Sequence, residues 1–212
     1  MGARVARTAR GTLLGLGGIA VAVVLAGVAV VVVAGMSRDS LSIELDPRTF
    51  SCAAGTATDW EKDDDVTLPA IVLSADLDCT LRFRASNNGA LPLEITEITI
   101  PMLGPGTGGS VEAIRLDGDF GSEAPRIGSG LEPDDIDATF EFGEGLSLEP
   151  HESALFTATL AFSPDGCSSD DATTYMGRAP DATVTALGIS GAREGSTGGY
   201  AFIGTPDSSC DH

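Results

Sequence analysis

A run of uncharged residues near the N-terminus constrains this chain more than any other feature. The run extends from Gly11 to Ser37, and its core, VAVVLAGVAVVVVAG at positions 21–35, is unbroken and apolar. A helix rises about 1.5 Å per residue, so a helix of this length exceeds the roughly 30 Å of a bilayer's hydrocarbon layer. Residues 11–37 are therefore predicted to form a transmembrane helix.

The charges on the two sides of the run predict its orientation. Three arginines lie before it, whereas every Asp and Glu lies after Ser37. Positively charged flanks stay on the cytoplasmic side of a membrane helix. We therefore expect an Arg-rich cytoplasmic tail over residues 1–10 and an extracytoplasmic domain over residues 38–212. This describes a single-pass signal-anchor protein of the cell membrane.

A cleaved secretory signal is the alternative interpretation of the same run. The apolar region of such a signal is usually about 7 to 15 residues long and precedes a small-x-small cleavage site. Ala20-Val21-Ala22 fits that pattern, but cleavage there would leave a hydrophobic new N-terminus. Val32-Val33-Ala34 also fits, but it follows an apolar region that is too long. Retention of the helix is favoured, and cleavage stays open.

Small residues recur along one face of the predicted helix. Such stripes allow two transmembrane helices to approach closely, so the stripe suggests a homodimer in the membrane. In a segment so rich in Gly and Ala, chance is the competing explanation. The residues proposed for this helix–helix contact are Gly11, Gly15, Gly18, Ala22, Ala26 and Ala29.

The composition excludes one class of partner. The chain has 31 acidic residues and 12 basic ones, for a formal net charge of -19. A surface this acidic repels phosphate backbones, so we expect no binding to nucleic acid. Cationic partners, or a purely solubilising surface, remain.

Short alternating stretches replace the apolar run after Arg38. Alternation of apolar and polar residues is typical of half-buried strands, and turn residues separate the stretches. About eight such strands predict an all-β antiparallel sandwich of one domain. The stretches are LSIEL (41–45), CTLRFRAS (79–86), LEITEITI (93–100), VEAIRL (111–116), ATFEF (138–142), ALFTATLAF (154–162), ATVTALGIS (182–190) and GYAFIG (199–204).

Two segments within residues 78–163 carry a resemblance. LRFRASNNGALPLEITEITIP and the later LSLEPHESALFTATLAFSP resemble the immunoglobulin-like sandwich modules of the hydin and ASH type. Those modules share an Asn-x-Gly turn, a small-Pro-Leu step and a Pro-Gly-Glu-Ser turn. The chain departs from them at His151, where the family turn usually has Gly, and in its cysteines. The resemblance implies an immunoglobulin-like antiparallel β-sandwich that serves as a non-catalytic scaffold or adhesion-like module.

The four cysteines predict disulfide bonds, because all of them lie in the expected extracytoplasmic domain and their number is even. Of three connectivities we favour Cys52 with Cys79, which closes the acidic segment between them, and Cys167 with Cys210, which holds the C-terminal tail. The alternative, a metal site, is not favoured, because the sequence contains no C-x-x-C spacing.

Catalysis has little support in the sequence. A serine hydrolase needs Ser, His and an acid in reach of one another, and the two histidines lie in a predicted turn (His151) and at the last position (His212). The nearest approach to a nucleophile elbow, at residues 188–192, lacks the final Gly. The Gly-rich stretch at 104–110 has no Lys after it, unlike a phosphate-binding loop. We therefore predict no catalytic residue and no cofactor.

Clustered aspartates raise the question of calcium, which prefers several oxygen ligands. The clusters are Asp63-Asp64-Asp65, Asp117-x-Asp119 and Asp134-Asp135-x-Asp137, and none completes a known loop motif. We interpret these clusters as solvated acidic loops and therefore predict no metal site.

Trp60, the only tryptophan, is predicted to lie in a polar loop, either as an exposed recognition residue or folded over the edge of the core.

Taken together, these features predict a non-enzymatic, membrane-anchored envelope module that contacts another protein or an envelope polymer. A calcium- or small-ligand-binding extracytoplasmic module is the alternative.

Overall fold

One long helix precedes a β-rich domain. The structure, a computed structural model, describes residues 6–53, 56–62, 66–106, 110–118, 126–128, 135–163 and 166–209, with side chains from residue 21 onward apart from 61 and 62. The helix α1 spans Ala6–Asp39, and a short 3-10 helix spans Pro206–Ser208. The strands within the described residues are β1 (Leu41–Cys52), β2 (Ala57–Lys62), β3 (Val66–Val72), β4 (Cys79–Asn87), β5 (Leu93–Ile100), β6 (Val111–Gly118), β7 (Arg126–Ile127), β8 (Ala138–Leu148), β9 (Ser153–Phe162), β10 (Thr173–Arg178), β11 (Asp181–Ala186), β12 (Ile189–Arg193) and β13 (Thr197–Ile203).

The helix meets the requirements of a membrane span. Its segment Val21–Asp39 is long and apolar enough to cross a bilayer, a property that a signal sequence near the N-terminus shares. The valines between residues 21 and 33 are exposed. In water such a surface would be unfavourable, whereas acyl chains would cover it without cost.

The end of the helix is joined to the β domain without a linker. Ser40 alone separates α1 from β1, and its backbone N–H donates to the carbonyl of Ser37. Ala34 is fully buried and belongs to the core of the domain. Arg38 donates to the carbonyl of Ser190 in β12. The helix is therefore packed onto the domain over its last two turns.

Two antiparallel sheets supply most of the core. Sheet I has the strand order β1-β4-β9-β6, and sheet II has the order β12-β11-β5-β8-β7. Their alternating buried residues contribute to a single hydrophobic core. Phe83 and Phe156, on neighbouring strands of sheet I, stack with ring centroids 5.1 Å apart, and Phe142 of sheet II meets Phe156 edge-on at 6.2 Å. The mainly β, antiparallel character of the domain is as predicted.

Sheet III contains a parallel strand pair that the sequence analysis did not predict. Its strand order is β10-β13-β3-β2, and β13 pairs with β3 in parallel, so the expectation of purely antiparallel pairing is wrong here. Tyr200 and Phe202 of β13 are fully buried and join Phe50 of β1 in an aromatic cluster. This cluster attaches sheet III to the shared core.

Two local predictions also require correction. Residues 182–190, predicted as one strand, form two strands, because Leu187 and Gly188 have positive φ angles and reverse the chain between β11 and β12. Trp60 lies in strand β2, paired with Leu68, and not in a loop. Its ring is half-buried and lies 6.1 Å from that of Tyr175, as expected for an aromatic residue that covers the edge of the core.

Candidate functional site

A groove lies between sheets II and III among the described residues. It encloses about 540 Å³, within the roughly 300–1,000 Å³ typical of ligand pockets. Four segments far apart in sequence meet there: the turn after β5, the residues before β8, strand β10 and the connection from β12 to β13. The lining residues are Pro101, Met102, Ile136, Asp137, Met176, Gly177, Arg178, Glu194, Gly195 and Thr197.

One wall of the groove is held by Asp137. Its carboxylate accepts a hydrogen bond of 2.7 Å from the backbone N–H of Met102. Met102 has a φ of 56°, in the left-handed region that costs energy for a residue with a side chain. Next to it, Gly104 donates from its backbone N–H to the carbonyl of Ile136 at 2.9 Å. A Cβ at Gly104 would collide with the backbone of this wall, so only glycine allows this approach.

The opposite wall is held by Asp181. One carboxylate oxygen accepts from the backbone N–H of Gly195 at 2.8 Å, and the other lies 3.0 Å from the guanidinium of Arg178. A Cβ at Gly195 would collide with the carbonyl oxygens of Ala179 and Pro180, so this wall too depends on a glycine. An ion pair and a backbone contact thus hold this wall together.

The surface of the groove combines apolar and charged side chains. Met176 is buried beneath it, whereas Met102 and Ile136 are 41% and 53% exposed. Asp137 and Glu194 also line it, as does Arg178, which is paired with Asp181. Methionine adapts its shape to different apolar partners. The arrangement can therefore accept apolar side chains and place basic groups beside carboxylates.

The motifs that carry the family resemblance lie at another end of the domain and serve the fold. Asn87 is fully buried, and its side-chain amide donates to the carbonyls of Leu91 and Leu148, both at 2.9 Å. Its side-chain oxygen accepts from the backbone N–H of Gly89 at 3.0 Å. Asn87 thus ties the turn after β4 to the turn before β9. Its contacts account for the Asn-x-Gly motif without invoking a ligand.

His151 occupies the second of these turns. Pro150 precedes it, its φ is 65°, and the N–H of Glu152 donates to the carbonyl of Glu149 at 3.0 Å. These are the features of a type II turn, which favours glycine at this position. The side chain of His151, the sole histidine among the residues that the structure describes, is exposed.

The predicted disulfide between Cys52 and Cys79 is present and joins directly paired residues of β1 and β4. Cys167 is also disulfide-bonded. Cys210 lies outside the described residues. The predicted small-residue stripe lies within α1; Ala22, Ala26 and Ala29 are exposed on it, and Gly11, Gly15 and Gly18 precede the first described side chain.

The other residues that the sequence analysis considered for catalysis or metal binding either make structural contacts or lie outside the described residues. Ser190, within the elbow-like stretch, lies in β12, and its hydroxyl is 2.7 Å from that of Thr185. Asp117 pairs with Arg115 at 2.7 Å. Within the described part of the chain no three His, Cys, Asp or Glu residues are grouped as metal ligands. The aspartates at 63–65, 119 and 134 lie outside the described residues, as do residues 107–109 of the Gly-rich stretch.

Sequence reasoning did not identify the groove. Its clearest signal in the sequence is Ile136, an isolated large apolar residue in the acidic stretch PDDID at 133–137. Met102 offers a weaker signal, since it follows Pro101 directly after a predicted strand. Neither residue could be connected with β10, which was not predicted.

No protein-family model matches the chain, and no curated protein matches it.

Proposed function

We propose that the chain is a single-pass membrane protein whose extracytoplasmic, immunoglobulin-like sandwich binds another envelope protein through the groove between sheets II and III. The observation that carries the proposal is the pair of exposed apolar side chains, Met102 and Ile136, above the buried Met176. Apolar side chains that line a formed concavity are typical of binding sites.

The charge of the domain favours a particular kind of partner segment. Asp137 and Glu194 line the groove, the lining Arg178 is already paired with Asp181, and the chain carries 31 acidic residues against 12 basic ones. Charge complementarity favours partners of opposite sign. The partner is therefore a protein segment with apolar side chains flanked by Lys or Arg. An envelope polymer with cationic groups would meet the same carboxylates but would use the apolar side chains of the groove less well.

The strand order supports the immunoglobulin-like assignment of the hydin and ASH type. In such domains one sheet has the order A-B-E-D and the other contains C, F and G. Here β1-β4-β9-β6 corresponds to the first, and β12-β11-β5 corresponds to the second. Strands β7 and β8 and the whole of sheet III are additions to this arrangement. The groove lies where these additions meet the sandwich.

The contacts at the end of the helix support a retained anchor. Ala34 is buried in the core of the domain, and Arg38 is bonded to Ser190. A signal peptide that is removed has no reason to pack into the mature domain. With the three arginines before the helix, positive-inside orientation places the domain outside the cytoplasm.

The proposal describes a binding module and not an enzyme. His151 is exposed in a turn, and the hydroxyl of Ser190 is engaged by Thr185 within a strand. Neither residue lines the groove. Acyl transfer of the Ser-His-Asp type requires a Ser or Cys and a His in mutual reach, and none of these residue types is among the residues that line the groove.

The test is co-purification of the full-length protein from native membranes after mild crosslinking. Ile136→Ser removes the more exposed apolar side chain of the groove. Ile114→Ser is the matched control, since Ile114 is 44% exposed on edge strand β6 and does not line the groove. We expect a partner that the wild type and the control recover and that Ile136→Ser recovers at least about tenfold less. Equal recovery by both variants would move binding away from the groove.

The volume of the groove favours a second candidate, a small apolar ligand in the same place. It is distinguished by the melting temperature of the full-length protein in detergent with candidate ligands. A ligand-dependent rise that Ile136→Ser abolishes and Ile114→Ser retains would favour the small ligand over a protein partner.

A further inference from the structure

The tip of the hairpin between β11 and β12 holds an apolar residue in an unfavourable backbone conformation. Leu187 and Gly188 form a two-residue loop with φ angles of 51° and 75°, as in a type I′ turn. This turn strongly prefers Asn, Asp or Gly at its first central position. Leu187 is nevertheless 54% exposed there. A polar residue would reduce both the strain and the exposed apolar surface, so the leucine points to a function.

The packing of the helix shows which way this hairpin points. The carboxylate of Asp39 lies 3.6 Å from the guanidinium of Arg193, and Arg38 donates to the carbonyl of Ser190 at 2.6 Å. The contacts therefore run in opposite directions along the two elements. From Asp39 toward the apolar centre of the helix, the neighbouring residues of β12 run from Arg193 toward the tip of the hairpin. The hairpin projects in the direction of the membrane.

The distances place the tip beside the apolar part of the helix. Leu187 is three residues beyond Ser190, or about 10 Å at the rise of a strand. The same distance along the helix covers about six or seven residues and leads from Arg38 to about Val32. The full burial of Ala34 requires atoms of the domain beside the helix at this level. The exposed valines of the helix continue from there into the bilayer.

The hairpin is also electrically suited to that position. The segment from Ala182 to Ala192 contains no charged residue, although the chain after Ser37 is strongly acidic. A carboxylate at this level would be costly to bring near the hydrocarbon layer. An uncharged tip with one exposed leucine avoids this penalty.

We propose that the β11–β12 tip enters the outer boundary of the lipid bilayer and that Leu187 contacts acyl chains there. This inference rests on the membrane anchoring proposed above. Interfacial segments typically bury apolar side chains about 5–10 Å into the headgroup and acyl boundary. With the helix as the first point of attachment, the tip is a second one. Because the helix and the domain are joined, this second attachment limits how far they tilt together relative to the bilayer plane, and the groove keeps a fixed inclination to the membrane.

The test uses the full-length wild type in phosphatidylcholine vesicles that contain a lipid with a photoactivatable diazirine on its acyl chain. Crosslinked peptides are located by mass spectrometry. We expect crosslinks on the helix and on residues 185–190, and none on residues 111–118, where Ile114 provides a comparably exposed apolar side chain. Leu187→Asn should reduce crosslinking of the tip by about tenfold without lowering the melting temperature, because Asn suits the turn.

The outcomes separate this inference from the anchoring on which it rests. Crosslinks on the helix with none on residues 185–190 would overturn the inference and leave the anchor intact. Absence of crosslinks from the helix itself would overturn both. Should Leu187→Asn not fold, the wild-type comparison between the tip and residues 111–118 decides the question alone.

Discussion

The guanidinium of Arg38 donates a hydrogen bond to the carbonyl oxygen of Ser190, with an N–O distance of 2.6 Å. The bond joins the last turn of the helix to edge strand β12. The side chain lies over Gly191, where a Cβ would collide with the guanidinium. A small residue in the strand and a long cationic one in the helix thus form a single junction. Through this junction the orientation of the domain follows that of the helix.

Replacing Arg38 should therefore loosen β12. Arg38→Met keeps the aliphatic stem but removes the donor, at a cost of about 1 kcal/mol. We expect backbone amides of β11 and β12 to exchange hydrogen about fivefold faster, measured by mass spectrometry on the full-length protein in vesicles. Arg115→Met is the control, since Arg115 pairs with Asp117 on the surface of β6. An equal increase in both variants would show that the junction is not specific.

A second prediction concerns the turn that carries the family resemblance. His151 has a φ of 65° at a position of the type II turn that favours glycine. His151→Gly should not destabilise the protein and should raise the free energy of unfolding by up to about 0.5 kcal/mol, since relief of strain exceeds the entropy of glycine in the unfolded chain. His151→Val should lower it by about 1 kcal/mol or more, because a β-branched side chain is poorly tolerated there.

Unfolding in mild detergent, followed by the emission of Trp60, measures both variants. Trp60 is suited to this because its ring contacts that of Tyr175 across sheet III. If His151→Gly were less stable than His151→Val, the left-handed conformation at this turn would be wrong.

Spaced apolar residues bounded by clear turn signals made part of the fold predictable. Strand β5 spans Leu93–Ile100, the range predicted, because every turn signal around it is strong: an Asn-Asn-Gly before and a proline after. Strand β3 was missed because it contains Pro69, which lacks a backbone N–H and argues against a central strand. Its pairing with β13 begins only at Ala70, after the proline.

The groove was beyond sequence reasoning for a different reason. Its walls depend on contacts between segments far apart in sequence, such as Asp137 with Met102 and Asp181 with Gly195. Each aspartate alone is one of many acidic residues in the chain and carries no local signal. The turn between β11 and β12 could not be predicted either. Leucine is not typical of turns, and only the backbone angle of Leu187 shows that the chain reverses there.

A third prediction follows from the disulfide bond between Cys52 and Cys79, which closes a segment with a sequence separation of 27 residues. That segment contains β2 and β3. The double variant Cys52→Ala/Cys79→Ala should lower the free energy of unfolding by about 3 to 4 kcal/mol, because the unfolded chain regains the entropy of the open loop.

The control for the disulfide is the neighbouring pair in the same register, Ser51 and Thr80. Ser51→Ala/Thr80→Ala removes two side-chain hydroxyls and no covalent bond, so we expect a loss below about 1 kcal/mol. Denaturant unfolding under non-reducing conditions measures both double variants. Losses of similar size would show that packing at this end of the sheet matters more than the covalent link.

The fourth prediction concerns Tyr200, whose hydroxyl is fully buried and has no hydrogen-bond partner within the described part of the chain. Burial raises the pKa of Tyr200 above its ordinary value. In the unfolded chain the hydroxyl loses its proton above about pH 10, whereas the folded protein retains it. Titration of this group therefore leaves the free energy of unfolding unchanged below about pH 10 and lowers it as the pH rises further, by up to about 1.4 kcal/mol per pH unit. Tyr200→Phe removes an unsatisfied hydroxyl and should raise the free energy of unfolding by about 1 kcal/mol at neutral pH. Its advantage over the wild type should widen between about pH 10 and 11, which paired denaturant titrations at several pH values would measure. Parallel pH curves for the two proteins would mean that the hydroxyl reaches solvent or a partner in the folded state.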